Sequence, residues 1–349
     1  MVLMMCERER MKSLQQEFTK ILSGMQGRDI LVIGDMVADI YLDGRISRIS
    51  REAPVLVLEQ AGEKIVAGGA ANVVNNIATL GGAVHAVGLV GRDESADGLR
   101  AILAENGADV RGLISDESRP TISKTRIIAG GRATVSQQIV RIDKESKEPV
   151  HPVIEAELCA YVESVLPTVE GVVISDYGAG TVTEKLQDLL IRHCREHDIP
   201  SIVDSRYAIH RFRGIGYVKQ NDAELAAAVG RELATTEDII RAAEELRREL
   251  RAKGVLVTRG ELGMVLVESG AVHEIPVSDK SEVFDVSGAG DTCVATVILA
   301  LAAGAEPALA ARLSNIASGI AVRKLGTSTV SVRELAEAVE KQHPEYPSK

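Results

Sequence analysis

The chain has 349 residues, with 40 Lys+Arg against 50 Asp+Glu, a formal net charge of −10, 45% hydrophobic residues and no Trp. At roughly 150 residues per domain this length allows one large domain with an appendage, and its ordinary hydrophobic and charged fractions argue against disorder. The acidic surplus repels nucleic-acid phosphates and no apolar run approaches the roughly 18 residues of a membrane-spanning helix, so neither a nucleic acid nor a membrane is the expected partner.

Residues 6–24 space Met11, Leu14, Phe18, Ile21 and Leu22 as the apolar stripe of a helix. Residues 1–27 therefore read as a helical extension ahead of a domain over 28–340. The run 29–34 is continuously apolar and ends at Gly34, as a strand buried on both faces of a parallel sheet does. Similar runs recur at 83–89, 171–175, 201–204 and 255–258, with helical stretches at 182–193 and 237–253 between them. This alternation predicts a doubly wound, mostly parallel α/β sheet with helices on both faces. Two stretches, 46–60 and 121–142, break the rhythm with Val, Ile, Thr and Arg in partial alternation. They read as strands of a small discontinuous sheet inserted at about 43–60 and 120–143, either a lid over an active site or an edge extension.

Four scattered cysteines, Cys6, Cys159, Cys194 and Cys293, make no CxxC pair. With no secretory apolar region after the N-terminus, they fit unpaired thiols in a cytoplasmic protein. The seven histidines suggest no zinc set.

Ligands of open α/β sheets bind at the carboxyl ends of the strands, where this chain places Asp35, Asp39, Asp176, Asp204 and Thr258. The segment 284–293 reads FDVSGAGDTC and precedes a run of small apolar residues expected to be a buried helix. Gly288 and Gly290 let the backbone approach a ligand, and the first amides of the helix have no internal partners. Asp291 in that first turn could take a proton from an attacking hydroxyl; the plainer alternative is a carboxylate favouring the helix dipole. No GxxxxGK[ST] loop or GxSxG elbow is present, and Cys293 replaces the third Gly of a dinucleotide fingerprint, which leaves a nicotinamide dehydrogenase a weak rival. Gly68, Gly69 and Asn72 form a second Gly-rich turn opening a helix, suited either to polyol hydroxyls or to tight packing. Asn221 and Glu224 have capping-box spacing at the start of another helix, and the Glu224 carboxylate could also hold magnesium through water.

The segments 68–72 and 285–291 resemble the two signatures of the PfkB, or ribokinase-like, carbohydrate kinases, over about residues 28–340. Within that family the similarity is greatest to the kinase domain of the bacterial heptose 7-phosphate enzymes. It is carried by Gly34, Asp35 and Asp39, the segments 47–54, 68–82, 124–126, 137–143 and 175–177, and the stretch 324–331. The resemblance implies that Asp291 is the catalytic base and that the amides of Ser287, Gly288, Ala289 and Gly290 receive the phosphoryl group in transfer. It implies that Asp35, Asp39, Gly68, Gly69 and Asn72 hold sugar hydroxyls, with Lys124, Arg126, Asp176 and Arg206 also on the acceptor. Lys219, Asn221, Asp222, Ala223 and Glu224 would serve ATP phosphates and Mg2+, with Glu224 the metal carboxylate. Thr258, Gly260 and Gly263 resemble the nucleotide loop, and Asn315 would flank adenine. ATP, Mg2+ and a monovalent cation such as K+ are the cofactors the family implies, and a homodimer through the lid is the partner it suggests. The acceptor it implies is D-glycero-β-D-manno-heptose 7-phosphate at O1; the alternatives are another sugar or sugar phosphate, or a non-catalytic sensor.

The chain departs from heptose kinases where they usually carry Asp-Pro-Lys and it has Asp204-Ser-Arg206. It also lacks a Lys in the turn 177–180 and has Ile40 where Arg is common. Arg206, Lys124, Arg126 and Arg141 are the cations left to clamp a phosphate. About 20 residues follow Thr327, too few for the adenylyltransferase often fused to such kinases, so a stand-alone kinase is expected.

Overall fold

A computed structural model describes residues 2–130, 136–278 and 283–341, with side chains from residue 13. The side chains of Cys6 and Met11, and residues 131–135 of the second predicted insertion, therefore lie outside the described parts. The chain opens with helix α1 (Val2–Gly24), whose Phe18, Ile21 and Leu22 are buried in the main core, so the extension packs as part of the body. Strand β1 (Asp29–Gly34) leads almost without a break into β2 (Met36–Ile49) and β3 (Leu56–Gly69), followed by α2 (Ala70–Thr79), β4 (Ala83–Val90), α3 (Glu94–Glu105) and β5 (Asp109–Ser115). A second excursion, β6 (Ile122–Gly130) and β7 (Gln137–Lys144), precedes α4 (Pro152–Val165), β8 (Gly171–Asp176), α5 (Glu184–Glu196) and β9 (Ser201–Ser205). Then come β10 (Tyr217–Asn221), α6 (Asp222–Val229), α7 (Thr236–Leu250), β11 (Gly254–Thr258) and the hairpin β12 (Met264–Glu268) and β13 (Ala271–Ile275). Helices α8 (Ala289–Ala302), α9 (Pro307–Ala321) and α10 (Val332–Lys341) close the chain.

Among the described residues the strands form two sheets: nine in the order β13-β12-β11-β10-β9-β8-β1-β4-β5, and four in the order β3-β2-β6-β7. From β11 to β5 every pairing in the large sheet is parallel, and only the β12–β13 edge is antiparallel. Because alternate residues of a strand face opposite ways, Ile30 and Val32 of β1 enter the core under α2 and α8, while Leu31 and Ile33 enter the core under α4, α5 and α7. Both faces are covered, which is why the run reads as continuously apolar. Helix α8 is buried without interruption from Asp291 to Ala300, as its small apolar residues require.

The small sheet extends further than 43–60 predicts. Strands β2 and β3 pair from Met36 with Gly69 out to Ile49 with Leu56, and their inner ends are buried in the main body, so the pattern there merges with the core. Strand β10 is also new: residues 219–221 read as the start of a helix, but Lys219 and Gln220 are buried polar residues in a strand between β9 and β11. The remaining central strands stand where the apolar runs predict them.

Candidate active site

The order in which strands are added to the sheet reverses at β1, with β4 added on one side and β8 on the other. The crevice at such a switch point, at the carboxyl ends of the strands, is where α/β sheets bind ligands. Asp35, directly after β1, is fully buried: Oδ2 accepts from the amides of Tyr177 (2.8 Å) and Ala179 (3.1 Å), and Oδ1 from that of Thr181 (3.3 Å). Burial raises its pKa while these hydrogen bonds oppose the rise. Asp176 shapes the same turn from within, accepting from the Gly178 amide (3.0 Å) and the Ser205 hydroxyl (2.8 Å). Both carboxylates thus stand behind the crevice, fastening the turn that presents Tyr177.

Asp291 sits in the first turn of α8 and is 6% exposed. Asn72, on α2, donates from Nδ2 to Asp291 Oδ2 at 2.7 Å, and the Tyr177 hydroxyl donates to Oδ1 at 3.1 Å. Asn76, one turn further along α2, donates to Asn72 Oδ1 (3.2 Å) and accepts from the Thr292 hydroxyl (3.1 Å), fixing the amide of Asn72. Burial pushes the Asp291 carboxyl up to about 6, with nearby Asp204 adding to the rise and Asn72, Lys219 and Tyr177 opposing it. A carboxylate so placed is a base poised near neutral pH.

Gly288 caps α8 with φ 79°, a left-handed conformation that other residues adopt at a cost. A Cβ there would stand 2.7 Å from Asn72 Nδ2, and one on Gly290 would stand 2.9 Å from Lys219 Nζ. Lys219 therefore lies directly against the amino end of α8, where unpaired amides already favour an anion. Its register partner in β9 is Asp204, whose Oδ2 accepts from Nζ at 2.8 Å. Although burial disfavours the ammonium, Asp204 and Glu224 outweigh it and hold the Lys219 pKa above the usual value.

Beyond Lys219, Asn221 and Glu224 form a complete capping box for α6: Asn221 Oδ1 accepts from the Glu224 amide at 2.7 Å, and Glu224 Oε2 from the Asn221 amide at 2.8 Å. The second oxygen, Oε1, lies 4.0 Å from Arg206 Nε. Asp222 and Ala223 occupy the first turn of α6, and both are exposed. Thr258 ends β11 level with Asn221, and the loop after it turns through Gly260 to Gly263, where a Cβ would collide with the Ile275 carbonyl oxygen. Asn315 on α9 donates to the Pro276 carbonyl at 2.7 Å. Arg206, Asn221, Glu224, Gly260 and Gly263 share one cleft of about 530 Å³ that runs from Tyr177, Asp204 and Lys219 past Gly288, Gly290 and Asp291 to Thr258 and Asn315, whereas Asp222 and Ala223 stand outside it.

From the small sheet, Asp39 of β2 accepts from Arg126 Nη1 of β6 at 2.6 Å, and a Cβ on Gly68 would strike the Asp39 carboxylate. Lys124 Nζ lies 5.4 Å and Arg206 Cζ 4.5 Å from the Tyr177 ring centroid. Arg141 is engaged by Asp143 through two hydrogen bonds of 2.8 and 2.9 Å. Of the candidate cations, Lys124 and Arg206 thus meet at one ring, while Arg126 and Arg141 are bound to carboxylates.

Asp204, read from the sequence as a strand-end candidate, does line the cleft, whereas the role of Tyr177 and the pairing of Asp204 with Lys219 are not foreseen by it. Sequence reasoning also passed over His193, in the last turn of α5, and His197, which caps that helix; their ring centroids lie 4.5 Å apart and neither lines the cleft. Among the described residues no three His, Cys, Asp or Glu side chains converge as a metal cage. The cleft's donor set, with Glu224 turning an oxygen away from its cap, fits a magnesium ion held chiefly by phosphate oxygens and water.

Among known proteins, the chain is 40% identical over 320 residues to the bifunctional protein HldE of Mesorhizobium japonicum, covering 91% of this chain and 63% of that protein. It is 41% identical over 323 residues to the bifunctional protein HldE of Geobacter sulfurreducens, covering 91% and 64%. It spans less than two thirds of the length of these relatives. Solved structures of similar fold include Arabidopsis thaliana ribokinase complexed with ribose and ATP (TM-score 0.71, 18% identity, 90% of this chain and 99% of that one). Another is Escherichia coli phosphofructokinase-2 in complex with substrates and products (TM-score 0.70, 24% identity, 90% and 99%). No described helix is long and apolar enough to cross a membrane. The model of the pfkB family carbohydrate kinases matches residues 28–334, so with its ribokinase-like fold and this constellation at the mouth of α8 the chain belongs to the pfkB family of carbohydrate kinases.

Proposed function

We propose that the protein transfers the γ-phosphoryl group of ATP to a hydroxyl of a phosphorylated sugar, and that this sugar is D-glycero-β-D-manno-heptose 7-phosphate, taken at O1 to the 1,7-bisphosphate. The observation that carries the reading is the position of Asp291: a buried carboxylate titrating near neutrality, held by two neutral donors at the amino end of a helix, with Lys219 alongside. ATP fits the cleft with its phosphates toward Lys219 and α8 and its base toward Asn315 and the loop at Gly260–Gly263. Asp291 takes the proton of the acceptor hydroxyl as that oxygen bonds to the γ-phosphorus, and the bond to the β-phosphate oxygen breaks to release ADP. The amides at Gly288–Gly290 and the Lys219 ammonium stabilise the charge on the phosphoryl oxygens in flight. Glu224 is the residue that would hold magnesium, whose charge would offset that of the nucleotide phosphates. Lid strands β2, β3, β6 and β7 reach over the acceptor side and limit water as a competing acceptor.

A phosphorylated acceptor is favoured by Lys124 and Arg206. Among the described residues Lys124 has no carboxylate within 4 Å, and burial and Arg206 depress its pKa while Asp39 opposes them. Arg206 meets Glu224 only at 4.0 Å. A bound phosphate would relieve both cations at once. The test is ADP release across a panel of sugars and sugar phosphates, the heptose 7-phosphate included, for the wild type and Asp291→Asn. The wild type should turn over a sugar phosphate and the variant should lose about 10²–10⁴ in kcat while still binding ATP; a variant as active as wild type sinks the assignment.

A further inference from the structure

Asp291 has two side-chain donors, and they approach from different sides. Asn72 is 1% exposed, is pinned by Asn76 and does not line the cleft; Tyr177 lines it together with Asp291. The acceptor hydroxyl must donate its hydrogen to a carboxylate oxygen from the cleft side, and there Oδ1 already receives a hydrogen from the phenol at 3.1 Å. We infer that Tyr177 is a positioning residue that stands in for the acceptor, its hydroxyl filling the place on Asp291 Oδ1 that the acceptor hydroxyl takes over on binding. This rests on the reading of Asp291 as the base.

The ring is anchored for such an exchange. Its backbone amide stays bonded to Asp35, while the ring is held on the acceptor side by Lys124 and Arg206, the two cations that a substrate phosphate would engage. The hydroxyl remains a donor at every working pH, because burial and the Asp291 and Asp204 carboxylates push its pKa well above the usual value. The groups acting on Asp291 are Asp204 from β9, Lys219 from β10, Asn72 from α2 and Tyr177 itself. Of these only Tyr177 exchanges with the acceptor, so before binding it keeps the base aimed and more acidic than burial alone would leave it.

Tyr177→Phe keeps the ring and its cation contacts and removes only the hydroxyl. The test follows kcat and kcat/KM against pH for both proteins with Mg-ATP and whichever sugar phosphate turns over in the panel; the substrate's own titration is common to both and cancels. The acid limb of kcat/KM reports the free enzyme and should move up by about half to one pH unit in the variant. The acid limb of kcat reports the complex, from which the phenol has already been displaced, and should hold its place. The acceptor KM should fall about two- to fivefold as the competing donor goes. An unmoved kcat/KM limb, or equal movement of both limbs, overturns the proposal. In the wild type bound to acceptor and a non-hydrolysable ATP analogue, the acceptor hydroxyl should lie within hydrogen-bond distance of Oδ1, with the phenol moved off; a phenol still bonded there overturns it as well. An active Asp291→Asn enzyme removes the base reading itself, whereas an inactive one with an unshifted Tyr177→Phe profile removes only this inference.

Discussion

The two ends of the large sheet both gather ionisable side chains and use them in opposite ways. At the amino ends of β1, β4 and β5, His85 stands between Asp29 (3.1 Å) and Asp109 (3.2 Å), and Arg111 binds Asp109 through two of its nitrogens. There Arg111 holds the Asp109 carboxyl far below the usual range. At the carboxyl ends Asp291 has only neutral hydrogen-bond partners, an amide and a phenol, and burial lifts it to about 6. A cationic partner fixes a carboxylate in its charged form, whereas neutral donors orient it and leave it able to accept a proton. Ion pairs occur at both ends, Asp109 with Arg111 at the amino ends and Asp204 with Lys219 in the cleft, but Asp291 at the mouth of α8 is held by neutral donors alone.

Substitutions at the carboxyl end should show the largest effects. Gly290→Ala sets a methyl group against Lys219 and should lower kcat about 10–100-fold in the ADP-release assay with folding retained; a fully active variant would detach Lys219 from the reaction. Lys124→Met with Arg206→Gln should cost about 10–100-fold in kcat/KM for the phosphorylated acceptor and far less for its unphosphorylated analogue. Equal losses on both would mean that the pair does not read the phosphate.

Stability against pH should separate the two ends by sign. The folded-state pKa of Asp291 is raised, so its contribution is fully present below the unfolded value near 3.8 and is lost as pH rises through about 6. Asp291→Asn should accordingly gain on the wild type between pH 4 and 7, by up to about 2–3 kcal/mol in denaturant melts. Asp109 behaves the other way: its pKa is lowered, so its contribution is present above the unfolded value and is lost as pH falls below it. Asp109→Asn should narrow the acid stability of the protein while leaving turnover untouched. If both variants shifted with the same sign, the contrast between the two ends would fail.

Much of the fold is legible in the sequence because a strand buried on both faces must be apolar throughout, as in β1, β8 and β11. The legibility stops where burial and polarity coincide. Strand β10 carries Lys219 and Gln220 inward because Asp204 and backbone carbonyls satisfy them, and no window of composition anticipates a partner fifteen residues away. The acidic strand ends are visible as a set, but not the division of labour among them: Asp35 and Asp176 hold a turn and Asp204 holds Lys219, while Asp291, on α8, faces the cleft with neutral partners. Asn221 and Glu224 make the cap that their spacing suggests, and the same side chains line the cleft, so the two readings of that motif are compatible.

The bonds that hold Asp291 and its neighbours span the chain. Asn72 and Asp291 are 219 residues apart, Tyr177 and Asp291 114, and Asn76 reaches the Val330 amide across 254. No segment short of α8 contains the constellation, so a chain emerging from the ribosome can close β1, β4 and β8 into a sheet long before it owns a base. The hydrogen bonds on Asp291 can form only after α8 has been made. A copy stopped short of α8 carries Asn72 and Tyr177 without the carboxylate they orient.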